Sequence, residues 1–160
     1  MAVRAFKCYG PSMKRIRNFV QLTEQVGTAG QPTAAQFSTI AENGYQHVVN
    51  LGMPDHADAI SNEGELVSSL GMNYVHIPVP FDAPRPDHVR LFCGVLSQFR
   101  EDKVFVHCIL NYRVSAFMYH YLTKIEKRDS VAARSPMFEK WNVDPAWEKL
   151  MAWSSTDLGL

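Results

Sequence analysis

Cysteine is scarce in this chain of 160 residues, occurring only at positions 8, 93 and 108. An odd number of thiols so widely spaced builds no disulfide framework, and without a C-x2-C pair there is no zinc-binding spacing either. A reducing, cytoplasmic setting is expected. Long apolar runs are missing as well: nothing approaches the roughly 18 residues of a membrane span. The N-terminus, MAVRAFKCYGPSMKRIRNF, scatters charges where a secretory leader would carry an apolar core. No excess charge points to a polyanion, since 16 Lys and Arg balance 16 Asp and Glu. Nucleic acid and membrane are therefore not expected partners. Repeats and low-complexity tracts are absent too. What remains is 46% apolar and 20% charged, the composition of a globular domain with one sizeable core. One domain is expected over 1–160, with its core at about 18–128 and a helical segment at 129–160.

The chain is organised around the stretch 104–121. Val104, Phe105 and Val106 form a short apolar run between charged Lys103 and polar His107, the pattern of a buried parallel strand. From Val114 onward the apolar residues Val114, Phe117, Met118, Tyr121 and Leu122 recur at helical spacing. The turn between them runs Cys108, Ile109, Leu110, Asn111, Tyr112, Arg113. A strand that feeds a tight loop opening a helix directs backbone N–H groups and the positive end of the helix dipole to one spot. That spot attracts an anion and stabilises a thiolate beside an arginine. Cys108 reads as nucleophile and Arg113 as anion clamp, against the plainer alternative of a core thiol and a capping arginine.

The same alternation runs through the chain. The segment 18–29 fits one or two short strands, after a frayed lead-in over 1–15. Thr33 caps a helix with Phe37, Ile40 and Ala41 on one face, stopped at Asn43 and Gly44. A strand at 46–51, a helix at 57–70 ended by Gly71, and a strand at 73–79 follow. A proline-stiffened loop at 80–86 cannot join a ladder. Asp87 is expected to cap a helix at 88–99, whose apolar stripe includes Val89, Phe92, Val95, Leu96 and Phe99, with Cys93 packed beside it. Strands and helices alternating at about 30 residues give right-handed βαβ crossovers. The expected fold is a three-layer α/β domain with a central, mainly parallel sheet of four to five strands. Beyond 128, short helices at 136–141 and 145–153 carry Trp147, Leu150 and Trp153 as a docking face.

Three loops would meet at the carboxyl edge of such a sheet, at 53–57, 80–86 and 108–113. They bring Asp55, His56, Asp82, Arg85, Cys108 and Arg113 to one rim. A thiol, an arginine and a carboxylic acid there are the parts for moving a phosphoryl group through cysteine. The histidines His47, His56, His76 and His107 with Asp82 contain no ligand-spaced pair, so neither metal nor cofactor is expected.

Four blocks, GQPTAAQF (30–37), VVNLGMP (48–54), GMNYVHIPVPFDAP (71–84) and VHCILNYRVSAF (106–117), resemble the bacterial protein tyrosine phosphatase-like proteins. These are grouped with the DUF442, or beta-lactamase-hydrolase-like phosphatase, domains, and the resemblance runs in register over about 18–122. It implies the dual-specificity phosphatase fold. It also implies a phosphocysteine formed on Cys108, phosphate held by Arg113, and Asp82 as general acid by its place in the Phe-Asp-Ala-Pro loop. Asp87 is the competing acid. Ile109, Leu110, Asn111 and Tyr112 would surround the phosphate, with Asn111 bracing the loop where glycine is usual. Ser115 would serve intermediate breakdown and His107 would orient the loop, both counted among the substrate-binding residues. The substrate would be a phosphorylated small molecule or protein.

The signature of that family places five residues between Cys and Arg and a Ser or Thr directly after. Here four residues separate Cys108 from Arg113, and Val114 precedes Ser115. The shorter spacing resembles the rhodanese sulfurtransferase loop. Two further readings therefore stand beside the phosphatase: sulfur transfer through a Cys108 persulfide, and phosphate binding without catalysis.

Overall fold

The computed structural model describes residues 12–160; Cys8 and most of the expected lead-in lie outside them. The remainder of that lead-in is folded. Met13–Arg15 forms a 3-10 turn, and Met13 and Ile16 are buried. Their apolar side chains extend the core under the first helix, so the mixed composition of this segment conceals an anchored element.

Five strands form one sheet: β1 (Val20–Gln21), β2 (Val26–Ala29), β3 (His47–Asn50), β4 (Asn73–His76) and β5 (Val104–His107). Their order is β1-β2-β5-β3-β4. Only β1 runs antiparallel; β2, β5, β3 and β4 are parallel. The central strand β5 is buried along its whole length, which is why its sequence is a continuous apolar run rather than an alternation.

Two helices cover one face, α1 (Ala34–Glu42) and α2 (Glu63–Ser69). Phe37, Ile40, Val48, Val67 and Phe105 fill the space beneath them. Helix α1 begins at a full capping box between Thr33 and Gln36, which satisfies two otherwise unpaired N–H groups. Helix α2 is shorter than the expected 57–70, because the chain from 54 to 62 is taken up by turns. The opposite face is covered by α3 (Pro86–Gln98), α4 (Tyr112–His120), α5 (Pro145–Met151) and α6 (Ser155–Leu158). Val49, Val106, Phe92, Phe117, Trp147 and Leu150 pack there in one cluster.

Two further boundaries differ from expectation for local reasons. Helix α3 starts at Pro86 with Arg85 as its N-cap, since proline suits the first helical turn. Asp87 therefore sits inside the helix and chelates the Arg85 guanidinium at 2.9 and 3.0 Å instead of capping. Helix α4 starts two residues before Val114 and runs into a π-helical turn, Tyr121–Ile125. No helix among the described residues is long and apolar enough to cross a membrane.

Candidate active site

Cys108 follows β5 directly, and α4 begins at Tyr112, so the loop 108–111 turns the chain from the sheet's carboxyl edge into a helix N-terminus. Such a turn needs one residue of left-handed backbone. Asn111 supplies it, at φ 70° and ψ 11°, a region that asparagine tolerates better than most residues. Its side chain then ties the loop down, donating to the Asn18 carbonyl at 2.9 Å and to Thr28 Oγ1 at 3.1 Å. Asn18 Nδ2 donates in return to the Leu110 carbonyl at 3.0 Å. Ser115 Oγ donates to the Asn111 carbonyl at 2.6 Å. Gly30 is required beside this loop: a Cβ there would lie 2.4 Å from the Ile109 carbonyl oxygen. The absence of that carbon lets the Gln31 N–H reach the same oxygen at 3.0 Å.

Above the loop opens a cavity of about 520 Å³. Cys108, Ile109 and Leu110 line it, with Tyr112 and Arg113 from the first turn of α4. The first N–H groups of any helix lack intrahelical partners, so α4 presents donors and its dipole at this opening. Arg113 is buried and donates from Nη1 to the Val79 carbonyl at 2.8 Å. That bond leaves the other N–H groups of its fork for a ligand. The guanidinium carbon also lies 5.8 Å from the Phe81 ring centre, a cation–π contact that steadies its position.

Phe81, from the loop after β4, lines the cavity, and His56 closes another side. The rest of the wall comes from the C-terminal segment, through Lys140, Trp141, Asn142 and Asp144. Trp141 stacks parallel to Tyr112, with ring centres 5.1 Å apart. Trp147 Nε1 donates to the Phe81 carbonyl at 2.7 Å, and its ring lies 5.4 Å from that of Phe81. These C-terminal residues had no motif to announce them. The only sequence signal was the density of tryptophan at Trp141, Trp147 and Trp153.

The structure thus brings Cys108, Ile109, Leu110, Tyr112 and Arg113 around one cavity, and places other expected residues elsewhere. Asp82 is exposed on the loop next to Phe81, is not among the lining residues, and its carboxylate makes no hydrogen bond among the described residues. Asp55 stays outside the cavity while its neighbour His56 lines it. The side chains of Asn111 and Ser115 are buried beneath the loop, so they hold its backbone and do not reach into the cavity. His107 is fully buried and packs with Phe37 and Phe105 on the α1–α2 side of the sheet. Strand alternation sends it to the face opposite Cys108, which corrects the expectation that its side chain binds substrate. The Asp87 carboxyl is held down at about 2, chiefly by its hydrogen bonds from Arg85. Its carboxylate is taken up by Arg85, and Asp87 is not among the residues that line the cavity. Asp144 is different: it stands at the N-cap position of α5 with no side-chain cap bond, so its carboxylate is uncommitted at the cavity wall. No group of three or more His, Cys, Asp or Glu among the described residues could hold a metal ion.

A thiol and an arginine on a strand-to-helix loop, at the carboxyl edge of a parallel sheet, define the architecture of the tyrosine and dual-specificity phosphatases. The chain belongs to the family described as DSP-PTPase phosphatase fused to NAD+ kinase, whose profile matches residues 21–148. Among solved structures, a DUF442 protein from Shewanella putrefaciens CN-32 is 33% identical, with a TM-score of 0.81 over 91% of this chain and 95% of that one. Two more distant structures share the fold. Tk-PTP is 16% identical, with a TM-score of 0.69 over 83% of this chain and 92% of its own. TpbA from P. aeruginosa is 17% identical, with a TM-score of 0.68 over 89% and 88%; TpbA has also been solved in complex with phosphotyrosine. No curated protein matches the chain.

Proposed function

We propose that this protein hydrolyses phosphate monoesters through a phosphocysteine on Cys108. The observation that carries the reading is that Cys108 and Arg113 line one cavity at the N-terminus of α4. The Cys108 thiolate attacks phosphorus, and the bond from phosphorus to the leaving oxygen breaks. Arg113 and the loop N–H groups hold the equatorial oxygens, where charge builds up. Asp82 gives its proton to the departing alkoxide. Water then attacks the phosphocysteine and loses a proton to the Asp82 carboxylate. The P–S bond breaks, freeing inorganic phosphate and returning the thiolate. No metal or cofactor takes part, and a reducing compartment such as the cytoplasm keeps the thiol available.

The aromatic wall of Phe81, Tyr112 and Trp141 suits a ring attached to the phosphate. Phosphotyrosine, the ligand of TpbA, is therefore the first substrate to test, with other phosphorylated small molecules or proteins next. The four-residue spacing from Cys108 to Arg113 favours a second reading in which phosphate binds without turnover, and a third in which sulfur is carried. Purified protein should be assayed with an aryl phosphate and, separately, with thiosulfate and cyanide. Hydrolysis is expected, abolished by Cys108→Ser and lowered roughly 10²–10³-fold by Arg113→Lys, which cannot copy the bidentate fork. Phosphate binding with no turnover would support the second reading, and thiocyanate production the third.

A further inference from the structure

Glu63, the first residue of α2, is 3% exposed. A glutamate so deeply buried needs partners, and its partners come from separate strands and loops. Gln31 Nε2 donates to Oε1 at 2.7 Å, and Asn50 Nδ2 donates to Oε2 at 3.1 Å. Tyr74, whose hydroxyl accepts from Asn50 at 3.0 Å, also faces it. The fourth partner is His107, with Nε2 2.8 Å from Glu63 Oε2. The other nitrogen of His107, Nδ1, lies 3.0 Å from the carbonyl oxygen of Cys108. Each of the four sequence blocks around the site therefore sends one polar side chain to a single carboxylate behind the sheet.

Hydrogen-bond accounting sets the roles within this pair. The Cys108 carbonyl only accepts, so His107 Nδ1 carries a hydrogen. Two amide donors already point at Glu63, which favours its carboxylate form. Burial pushes the Glu63 carboxyl up, but the hydrogen bonds and charge of His107, with bonds from Gln31 and Tyr74, more than offset this and hold it below its ordinary value. The ring therefore bridges the two sides of the sheet's edge, with Nε2 on the Glu63 carboxylate and Nδ1 on the Cys108 carbonyl. The groups facing the pair are Gln31, Asn50, Tyr74, Phe37 and Phe105; none of them supplies a second carboxylate.

We propose that Glu63 is a positioning residue for the Cys108 site: it holds His107 against the Cys108 carbonyl, which fixes the backbone of the reactive loop from behind the sheet. Stability alone does not account for the arrangement, since a buried ion pair is often no better than apolar residues of similar volume. The inference rests on the reading of Cys108 as the reactive thiolate. Glu63 touches no substrate; it acts through His107.

The test uses the full chain and two readouts that a purely structural role would not move. One is the iodoacetamide alkylation rate of Cys108 at pH 6, followed by peptide mass and referred to Cys93. The other is the split of turnover into kcat and KM on an aryl phosphate. Each is measured well below the melting midpoint of each variant. Glu63→Gln is expected to slow Cys108 alkylation and lower kcat roughly 10- to 100-fold, as losing a charged hydrogen bond does, with KM little changed. His107→Gln should do the same, and the double variant should lose no more than the worse single, the signature of coupled residues. If Glu63→Gln does not fold, the double variant, in which two amides can pair, carries the same expectation. A folded Glu63 variant, or the double one, with native alkylation and native kcat would overturn the inference. A wild type whose Cys108 reacts no faster than Cys93 and that hydrolyses nothing would overturn the phosphatase reading and this inference together. A reactive wild type insensitive to Glu63 sinks the inference alone.

Discussion

Two carboxylates are candidates to supply the proton a leaving oxygen needs. Asp82 sits on the loop beside Phe81, and Asp144 lies at the cavity wall with no capping bond. Asp82→Asn should lower turnover of an alkyl phosphate by roughly 10²–10⁴-fold, while p-nitrophenyl phosphate, whose leaving group departs unprotonated, suffers far less. Asp144→Asn should leave the ratio between the two esters unchanged. Steady-state rates on both esters decide the matter, and a selective alkyl-ester loss in the Asp144 variant would move the acid there. At this scale the sequence was informative wherever chemistry lies along a contiguous motif. Cys108, Arg113 and the left-handed Asn111 follow from one turn between a strand and a helix. Lys140, Trp141 and Asp144 were invisible because only the docking of a distant segment brings them to the loop. His107 does not reach substrate because the pleat, which fixes the side of the sheet, outweighs adjacency in sequence.

The C-terminal segment is the element that couples core packing to the site. Trp147 is fully buried in the cluster shared with Phe117 and Leu150, yet its indole N–H holds the Phe81 carbonyl, one residue before Asp82. Trp147→Phe keeps a ring but removes that donor, so the loop that carries Asp82 should loosen. Turnover of an alkyl phosphate should fall more than inhibitory phosphate binding at Arg113; equal losses in both would show that Trp147 acts only through packing. The same segment sets a pH limit. His120 in α4 donates from Nε2 to the Leu150 carbonyl at 2.7 Å, while Nδ1 has no hydrogen-bond partner among the described residues. Burial is the main cause that pulls the ring down to about 4. The unfolded chain takes a proton near the ordinary value of about 6.5, and the folded ring resists it. Stability is therefore complete above about pH 6.5 and declines as pH falls toward 4. Urea melts at pH 7 and pH 5 should show a drop for the wild type and a smaller one for His120→Gln; equal drops would remove His120 from the account. Neither coupling was legible beforehand, since the short helices beyond residue 128 carried only a loose apolar pattern.

For the molecule as a whole, the alternation of strands and helices was enough to give a mainly parallel sheet between helical layers, because parallel strands need crossover helices and buried strands read as apolar runs. The ends of elements were less legible. Pro86 started α3 early, turns over 54–62 shortened α2, and a buried Met13 made an anchored turn of the lead-in. What the architecture contributes to function is convergence: β5 and α4 present Cys108 and Arg113, the loop after β4 presents Phe81, and the C-terminal segment closes the cavity. The central claim is that Cys108 becomes covalently phosphorylated during turnover. The direct measurement is an acid quench within the first turnovers on an aryl phosphate, with intact mass and peptide mapping. The account predicts a single added phosphoryl group on Cys108, absent in Cys108→Ser and accumulating when breakdown of the intermediate is slowed. Steady hydrolysis with no adduct on Cys108, or an adduct carried by another residue, would contradict it.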